Sequence, residues 1–256
     1  MRQMTIDRLE GLGLQGMMRA LKEQLASPAC RDLSFEERLE LLLDAETEYR
    51  HERRLATRIQ RAGVRANARL EELDYRAMRK LDRPLLDSLA SCRWLKEKRN
   101  VILVGPTGIG KTFLSSALTL KACEEGFNAR YFRAPRLLHD LEIGRADGTH
   151  KHKLRSLAKI DLVVLDDWLV APPSDGNRRD LLEILDDRYD TKSTMICSQL
   201  PVELWHEAIG DPTLADAILD RLVHNAYRLE IQGESLRKTR GLGPATSGII
   251  DTTTKA

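Results

Sequence analysis

At 256 residues and 29.1 kDa the chain can hold one sizeable core plus a smaller appended domain. A content of 42% hydrophobic and 31% charged residues suits a globular rather than a disordered chain, and every apolar run falls far short of the roughly 20 residues of a membrane-spanning helix. The net charge of +2 singles out no partner, so the distribution of charge along the chain has to carry that argument.

The N-terminus, Met1-Arg2-Gln3-Met4-Thr5, leads into a charged amphipathic pattern with no signal-peptide core. Cys30, Cys92, Cys123 and Cys197 are widely separated and form no C-x-x-C pair, so reduced thiols in a cytoplasmic protein are expected rather than a zinc site or a disulfide framework. Residues 1–49 read as helices. Ile6, Leu9, Leu12 and Leu14 lead to Met17, Met18, Leu21 and Leu25, ending near Ser27-Pro28. Ser34-Phe35-Glu36-Glu37 reads as a capping box opening a helix that carries Leu39, Leu42 and Leu43.

This acidic part changes sign at residue 50. Arg50, Arg53, Arg54, Arg58, Arg61, Arg65 and Arg69 stand mostly three or four apart, which on a helix makes an arginine stripe, with Leu55, Ile59 and Ala62 on another face. Like charges so placed repel unless an anion lies against them, and only Glu52 offsets the run locally. A solvated face paired with acids from residues 36–48 is one reading. A surface for nucleic-acid phosphates is the other, and the imbalance favours it. Residues 1–70 are therefore expected to be an N-terminal helical domain binding DNA or a partner, and 71–99 a connector. In the connector, Leu81-Asp82-Arg83-Pro84 marks a turn or helix start before Leu85, Leu86, Leu89 and Trp94.

From residue 100 to 240 the pattern alternates strand and helix, which implies a parallel α/β sheet with helices on both faces. Val101–Val104 is a short apolar strand, and Gly105-Pro106-Thr107-Gly108-Ile109-Gly110-Lys111-Thr112 fits the phosphate loop G-x-x-x-x-G-K-[ST] at every fixed position. A helical pattern begins at Phe113. In this arrangement backbone N–H groups and the helix start face a polyphosphate, Lys111 reaches its β- and γ-phosphates, and the Thr112 hydroxyl is offered to Mg²⁺. Gly105 to Phe113 are thus the candidate contacts to ATP. Ala129–Phe132 reads as strand two, Arg136–Leu141 as the start of a helix, and Thr149–Leu157 as a basic segment containing Lys151, Lys153 and Arg155. Leu162–Leu165 reads as strand three, ending in Asp166 and Asp167. Asp166 is placed to hold Mg²⁺, and Asp167, on the opposite face, to orient an attacking water. The ordinary alternative is an N-cap pair. Asp180–Tyr189 is helical and Ser193–Ser198 is strand four. Off its end, Ser198 or Gln199 is placed to sense the γ-phosphate, unless this is simply a turn before Pro201. Asp211–Asn225 is helical, and Tyr227–Ile231 is strand five. Arg221 is a candidate arginine finger for a neighbouring subunit, or a partner of Asp220 or Asp216 within its own. The tail 241–256 is expected to be disordered.

The order of Gly-Pro-Thr-Gly-Ile-Gly-Lys-Thr, Leu-Val-Val-Leu-Asp-Asp-Trp, Cys-Ser-Gln-Leu-Pro-Val-Glu-Leu-Trp-His and Ile-Leu-Asp-Arg-Leu-Val-His-Asn-Ala resembles the IstB family of transposition helper ATPases, relatives of the DnaC helicase loader within the AAA+ class. The resemblance runs from the N-terminal helices to about Arg240. It implies a P-loop AAA+ fold, ATP-driven homo-oligomerisation on duplex DNA, DNA bending, and recruitment or stimulation of a partner transposase (IstA-like). It assigns Gly105–Thr112 to Walker A, Asp166 and Asp167 to Walker B, Gln199 to sensor 1 and Arg221 to the finger. It also makes residues 144–156 the helical insertion of the initiator and loader clade and a DNA contact. Two features depart from the pattern. Asp167 stands where many AAA+ ATPases have glutamate, and too little chain follows strand five for a full helical lid, leaving Arg237 as the candidate sensor-2 residue. A DnaC-type loader shares this core, and a small-molecule P-loop kinase shares only its loop.

Overall fold

The computed structural model of the chain describes residues 2–64, 68–73 and 82–233. The chain divides into two compact units, residues 1–61 and 62–256. The first contains α1 (Arg2–Gly11), α2 (Gln15–Ala26), a 3₁₀ turn at Pro28–Arg31 and nearly all of α3 (Phe35–Ala62). The capping box forms: Glu37 N–H donates to Ser34 Oγ at 3.2 Å, and Ser34 N–H to Glu37 Oε2 at 2.7 Å. α2 and α3 touch at Gly16, where an added Cβ would lie 2.4 Å from the Ala45 carbonyl oxygen. Beside it, buried Glu46 accepts from Met17 N–H at 3.1 Å and Arg50 Nε at 2.7 Å. Burial pushes the Glu46 carboxyl up, but these bonds together hold it below the ordinary glutamate value.

The arginine stripe is shorter than its sequence spacing suggests. α3 ends at Ala62 because Gly63 adopts φ +69, the left-handed conformation that closes helices. Arg69 therefore lies beyond the helix, just ahead of a 3₁₀ turn at Leu70–Glu72. Arg65 falls outside the described residues. At 3.6 residues per turn, Arg50, Arg53, Arg54, Arg58 and Arg61 project within about 140° of one another.

In the second unit Asp82 caps α4 (Arg83–Ala90) by accepting from Leu85 N–H at 3.0 Å, and a short α5 (Arg93–Lys96) follows. Among its described residues the connector is thus mostly helical, and its Leu86, Leu89, Trp94 and Leu95 are buried. Five parallel strands follow: β1 (Asn100–Val104), β2 (Ala129–Arg133), β3 (Leu162–Trp168), β4 (Ser193–Ser198) and β5 (Ala226–Glu230), in the spatial order β2-β3-β4-β1-β5. The helices between them are α6 (Lys111–Glu124), α7 (Ala134–Asp147), α8 (His150–Ala158), α9 (Asp175–Arg188), α10 (Trp205–Ile209) and α11 (Pro212–Val223). Ile102, Val104, Val163, Leu165 and Ile196 share one core with side chains of α7, α8, α9 and α11. By strand alternation Val101, Leu103, Val164, Met195 and Cys197 face the other side, where α6 lies. With both faces covered, the strands read as unbroken apolar runs.

Helices Asp180–Tyr189 and Asp211–Asn225 have shifted bounds. α9 begins at Asp175, capped by Ser174, and Asp211 is the cap of α11 rather than its first residue, accepting from Leu214 N–H at 2.9 Å. Strand five starts one residue earlier than expected, while Ile231 N–H still reaches the Val104 carbonyl at 2.8 Å. Cys92, Cys123 and Cys197 are buried and stand outside any disulfide, and burial pushes the Cys92 thiol up to about 12. No helix among the described residues is long and apolar enough to cross a membrane.

Candidate nucleotide-binding site

The site gathers at the C-terminal ends of β1, β3 and β4, where the crevice of an open α/β sheet lies. The loop from Gly105 to Gly110 leaves β1 and enters α6. Gly105 N–H donates to the Ser198 carbonyl at 3.2 Å, and an added Cβ on Gly105 would lie 2.3 Å from the Ile231 carbonyl oxygen. Buried Ile109 anchors the loop from below, while Pro106 and Thr107 stand exposed, and Gly108, Gly110, Thr112 and Phe113 are half-buried. The first intrahelical bond of α6 runs from Leu114 N–H to the Gly110 carbonyl, so the N–H groups of Lys111, Thr112 and Phe113 precede it and face out of the helix start. That is a cradle for an anion.

Lys111 is 8% exposed, and its ammonium donates to the carbonyls of Gly105 at 2.6 Å and Pro106 at 2.8 Å. Burial pulls its pKa below the ordinary lysine value, and the charges of Asp166 and Asp167 oppose that fall. Asp166, 4% exposed, accepts three donors: Thr112 Oγ1 at 2.8 Å, the Tyr131 hydroxyl, and Asp167 N–H at 2.9 Å. Burial and the bond to Asp166 push the Tyr131 phenol well above its usual range. A hydroxyl and a carboxylate are hard oxygen donors of the kind that suits Mg²⁺.

Strand three does not end at Leu165. It continues to Trp168 through a bulge: Leu165 pairs with Ile196 and Trp168 with Ser198, so one extra residue stands on β3. Asp167 takes φ +57 at this point. The bulge overrides the alternation that would put Asp167 simply opposite Asp166. Leu165 and Trp168, an odd number of residues apart, therefore share one core. Neither carboxylate caps a helix, since Ser174 caps α9. Asp167 is partly exposed, with Arg133 Nε 3.7 Å away.

Of Ser198 and Gln199, it is Gln199 whose side chain meets the phosphate loop. Ser198 is buried, accepting from Leu200 N–H at 3.0 Å and donating to the Trp168 carbonyl at 3.2 Å. Gln199 is exposed, and its Oε1 receives the hydroxyl of Thr107 in the phosphate loop at 2.5 Å.

Arg221 stands elsewhere. Asn100, the first residue of β1, donates from Nδ2 to the Arg221 carbonyl at 3.0 Å. Arg221 thus lies at the N-terminal edge of the sheet, a strand length of about 13 Å from the loop of its own subunit. Its guanidinium bonds to Asp186 rather than to Asp216, with Asp220 at 3.5 Å. Asp216 faces His206 instead, at 3.3 Å. In residues 144–156, Lys151 and Arg155 are exposed on α8, whereas Lys153 is half-buried and donates to the Asp140 carbonyl on α7 at 2.7 Å. Arg237 lies outside the described residues. Tyr131 and Arg133 did not emerge as site residues from the sequence. Their strand was legible, but which β3 residues they meet is set by register, which the sequence does not print.

The family model described as IstB-like ATP binding protein matches residues 7–242. A protein of Sinorhizobium fredii named as an insertion sequence ATP-binding protein is 46% identical over 236 residues, covering 92% of this chain and 96% of the relative. One of Pseudomonas fluorescens, named for insertion sequence IS1162, is 46% identical over 202 residues, covering 78% of this chain and 87% of its own. Among solved structures, DnaI aligns with a TM-score of 0.56 at 23% identity, covering 65% of this chain and 92% of its own. The replication initiator DnaA bound to AMPPCP and single-stranded DNA aligns at 0.55 and 17%, covering 67% of this chain and 52% of its own. These likenesses establish the P-loop AAA+ fold.

Proposed function

The chain belongs to the IstB-like ATP-binding family, and we propose that it is an ATP-dependent DNA-binding ATPase. In this reading it oligomerises on duplex DNA, bends it, and recruits or stimulates an IstA-like transposase during transposition in the cytoplasm. The observation that carries the nucleotide part is the convergence of Lys111, Thr112, Asp166 and Gln199 on one loop from three strand ends.

In this reading the loop from Gly105 to Phe113 holds the phosphates of ATP, with the N–H groups at the start of α6 directed at their oxygens. Lys111 exchanges its loop carbonyls for phosphate oxygens. Thr112 and Asp166 are the residues that would hold Mg²⁺, which supplies charge neutralisation at the phosphates. Asp167 orients the attacking water and accepts its proton, and Gln199 reports on the terminal phosphate through the loop it already touches. Arg221, too far from the loop of its own subunit, acts in a neighbour's site, leaving Asp186 to do so. This ties hydrolysis to assembly.

The DNA part rests on the α3 stripe and on Lys151, Lys153 and Arg155. Arg53, Arg54 and Arg61 are exposed, and the two basic segments lack the interleaved aromatics of a single-strand stacking platform. The test is binding of the purified protein to labelled duplex DNA with and without a non-hydrolysable ATP analogue. ATP-dependent, cooperative duplex binding is expected. Nucleotide binding without any duplex affinity would count against the transposition reading and favour a DnaC-type loader that grips a helicase.

A further inference from the structure

We propose that Tyr131 is a positioning residue for Asp166 and thereby sets how strongly Mg²⁺ couples to nucleotide at this site. The proposal rests on the nucleotide reading above and deepens it. Tyr131 pairs in register with Val164, so Asp166, two residues further along β3, lies diagonally opposite on the same face of the sheet. That face is the one α6 covers, and Thr112 comes from its first turn. The phenol and the Thr112 hydroxyl therefore meet on one atom, Asp166 Oδ2, while Oδ1 takes the Asp167 N–H at 2.9 Å. A carboxylate only 4% exposed and holding three donors has one orientation available to it.

Of these donors, Thr112 has a second use, since its lone pairs are what a cation at the loop would take. The Asp167 N–H belongs to a bulge, whose geometry is set by pairing with β4. Tyr131 belongs neither to the loop nor to the bulge. Its strand is at the sheet edge, and no other hydroxyl of β2 reaches the site. The phenol keeps the carboxylate aligned with Thr112 while that hydroxyl serves the cation.

Tyr131→Phe removes the hydroxyl and keeps the ring. Binding of a fluorescent ATP analogue is titrated against Mg²⁺, and separately in EDTA, for the parent, Tyr131→Phe, Asp166→Asn and the double variant. The expected result is nucleotide affinity in EDTA like that of the parent, with the Mg²⁺ midpoint raised on the order of tenfold, the worth of one hydrogen bond to a charged group. In the Asp166→Asn background the same change should add little, because Tyr131 acts through Asp166. A merely structural tyrosine would weaken binding equally with and without Mg²⁺, or add its full effect in both backgrounds, and either result overturns the proposal. An unchanged Mg²⁺ midpoint, in a parent that shows Mg²⁺-linked binding, overturns it alone. A parent without such binding overturns the nucleotide reading and this proposal together. Should Tyr131→Phe melt well below the parent, Tyr131→His and Tyr131→Leu at matched stability make the same comparison, a donor-capable ring against none.

Discussion

Gly105 is the position where the phosphate loop has least room. Its Cβ would lie 2.3 Å from the Ile231 carbonyl and 2.5 Å from Ile109 Cδ1, at a φ of +156 that side chains rarely adopt. The carbonyl is backbone, and Ile231 is tied to β1 by its N–H to the Val104 carbonyl at 2.8 Å, so it cannot simply rotate away. Gly105→Ala should therefore cost about 1–3 kcal/mol in stability, read from chemical denaturation, together with loss of nucleotide binding. An undiminished midpoint would mean the loop shifts freely. Lys111→Ala acts differently, because it removes a charge without filling space. ATP affinity should fall on the order of 10- to 100-fold in a fluorescence titration while stability changes little, as one charge-assisted contact is lost. Asp166→Asn should spare most of the binding and abolish Mg²⁺-dependent phosphate release. Parent-like hydrolysis by both variants would remove the assignment of the site. At this scale the sequence was most informative where a residue type has one use. Glycine, lysine and threonine at fixed spacing name a phosphate loop. It was silent on Tyr131, whose role depends on the strand beside it.

At the scale of elements, apolar runs and cap residues marked most of the strands and helices, because burial on both faces and satisfied helix ends leave local traces. Ser34–Glu37 is a case where a cap read from sequence is made in the fold, and the turn or helix start read around Asp82 is a helix start that Asp82 caps. The misses share one cause, namely geometry set by neighbours. The bulge in β3 arises from pairing with β4, and α3 stops at Gly63 although the arginine spacing runs on to Arg69. Arg221 likewise depends on what lies beyond its own element. Its bond to Asp186 raises its pKa and keeps it cationic, so it is held within the subunit by an exposed pair that a neighbour's phosphates can outcompete. Arg221→Ala should leave the monomer folded and ATP-binding, yet lower hydrolysis and ATP-dependent assembly. Mixing it with Lys111→Ala is the discriminating measurement. Mixed oligomers contain some interfaces with both groups intact, so part of the activity should return. No recovery, with mixing shown by size, would place the role of Arg221 within its own subunit.

For the whole molecule the question is whether charge placed on the first unit belongs to the same task as the loop in the second. α3 carries five arginines within about 140° of its circumference, and of these Arg50 is drawn to Glu46. Arg53, Arg54 and Arg61 are exposed. If they lie along a duplex backbone, each contact releases condensed counterions, and log K against log salt steepens by about 0.9 per phosphate. Replacing the three together by glutamine should then flatten the slope by up to about 3 units and weaken binding to unrelated duplexes alike, since phosphate contacts carry no sequence information. ATP binding by the monomer should stay as it is, because none of the three belongs to the residues that form the loop site. The measurement is a salt titration of duplex binding with a non-hydrolysable ATP analogue, for the parent and the triple variant. Lys151→Gln with Arg155→Gln forms a second, independent arm, and if both segments touch one duplex the two reductions in slope should add. A slope and an affinity unchanged in the triple variant would make the stripe a solvated or protein-facing surface. The chain's DNA contact would then rest on α8 alone, and a helicase-gripping first unit would become the better reading.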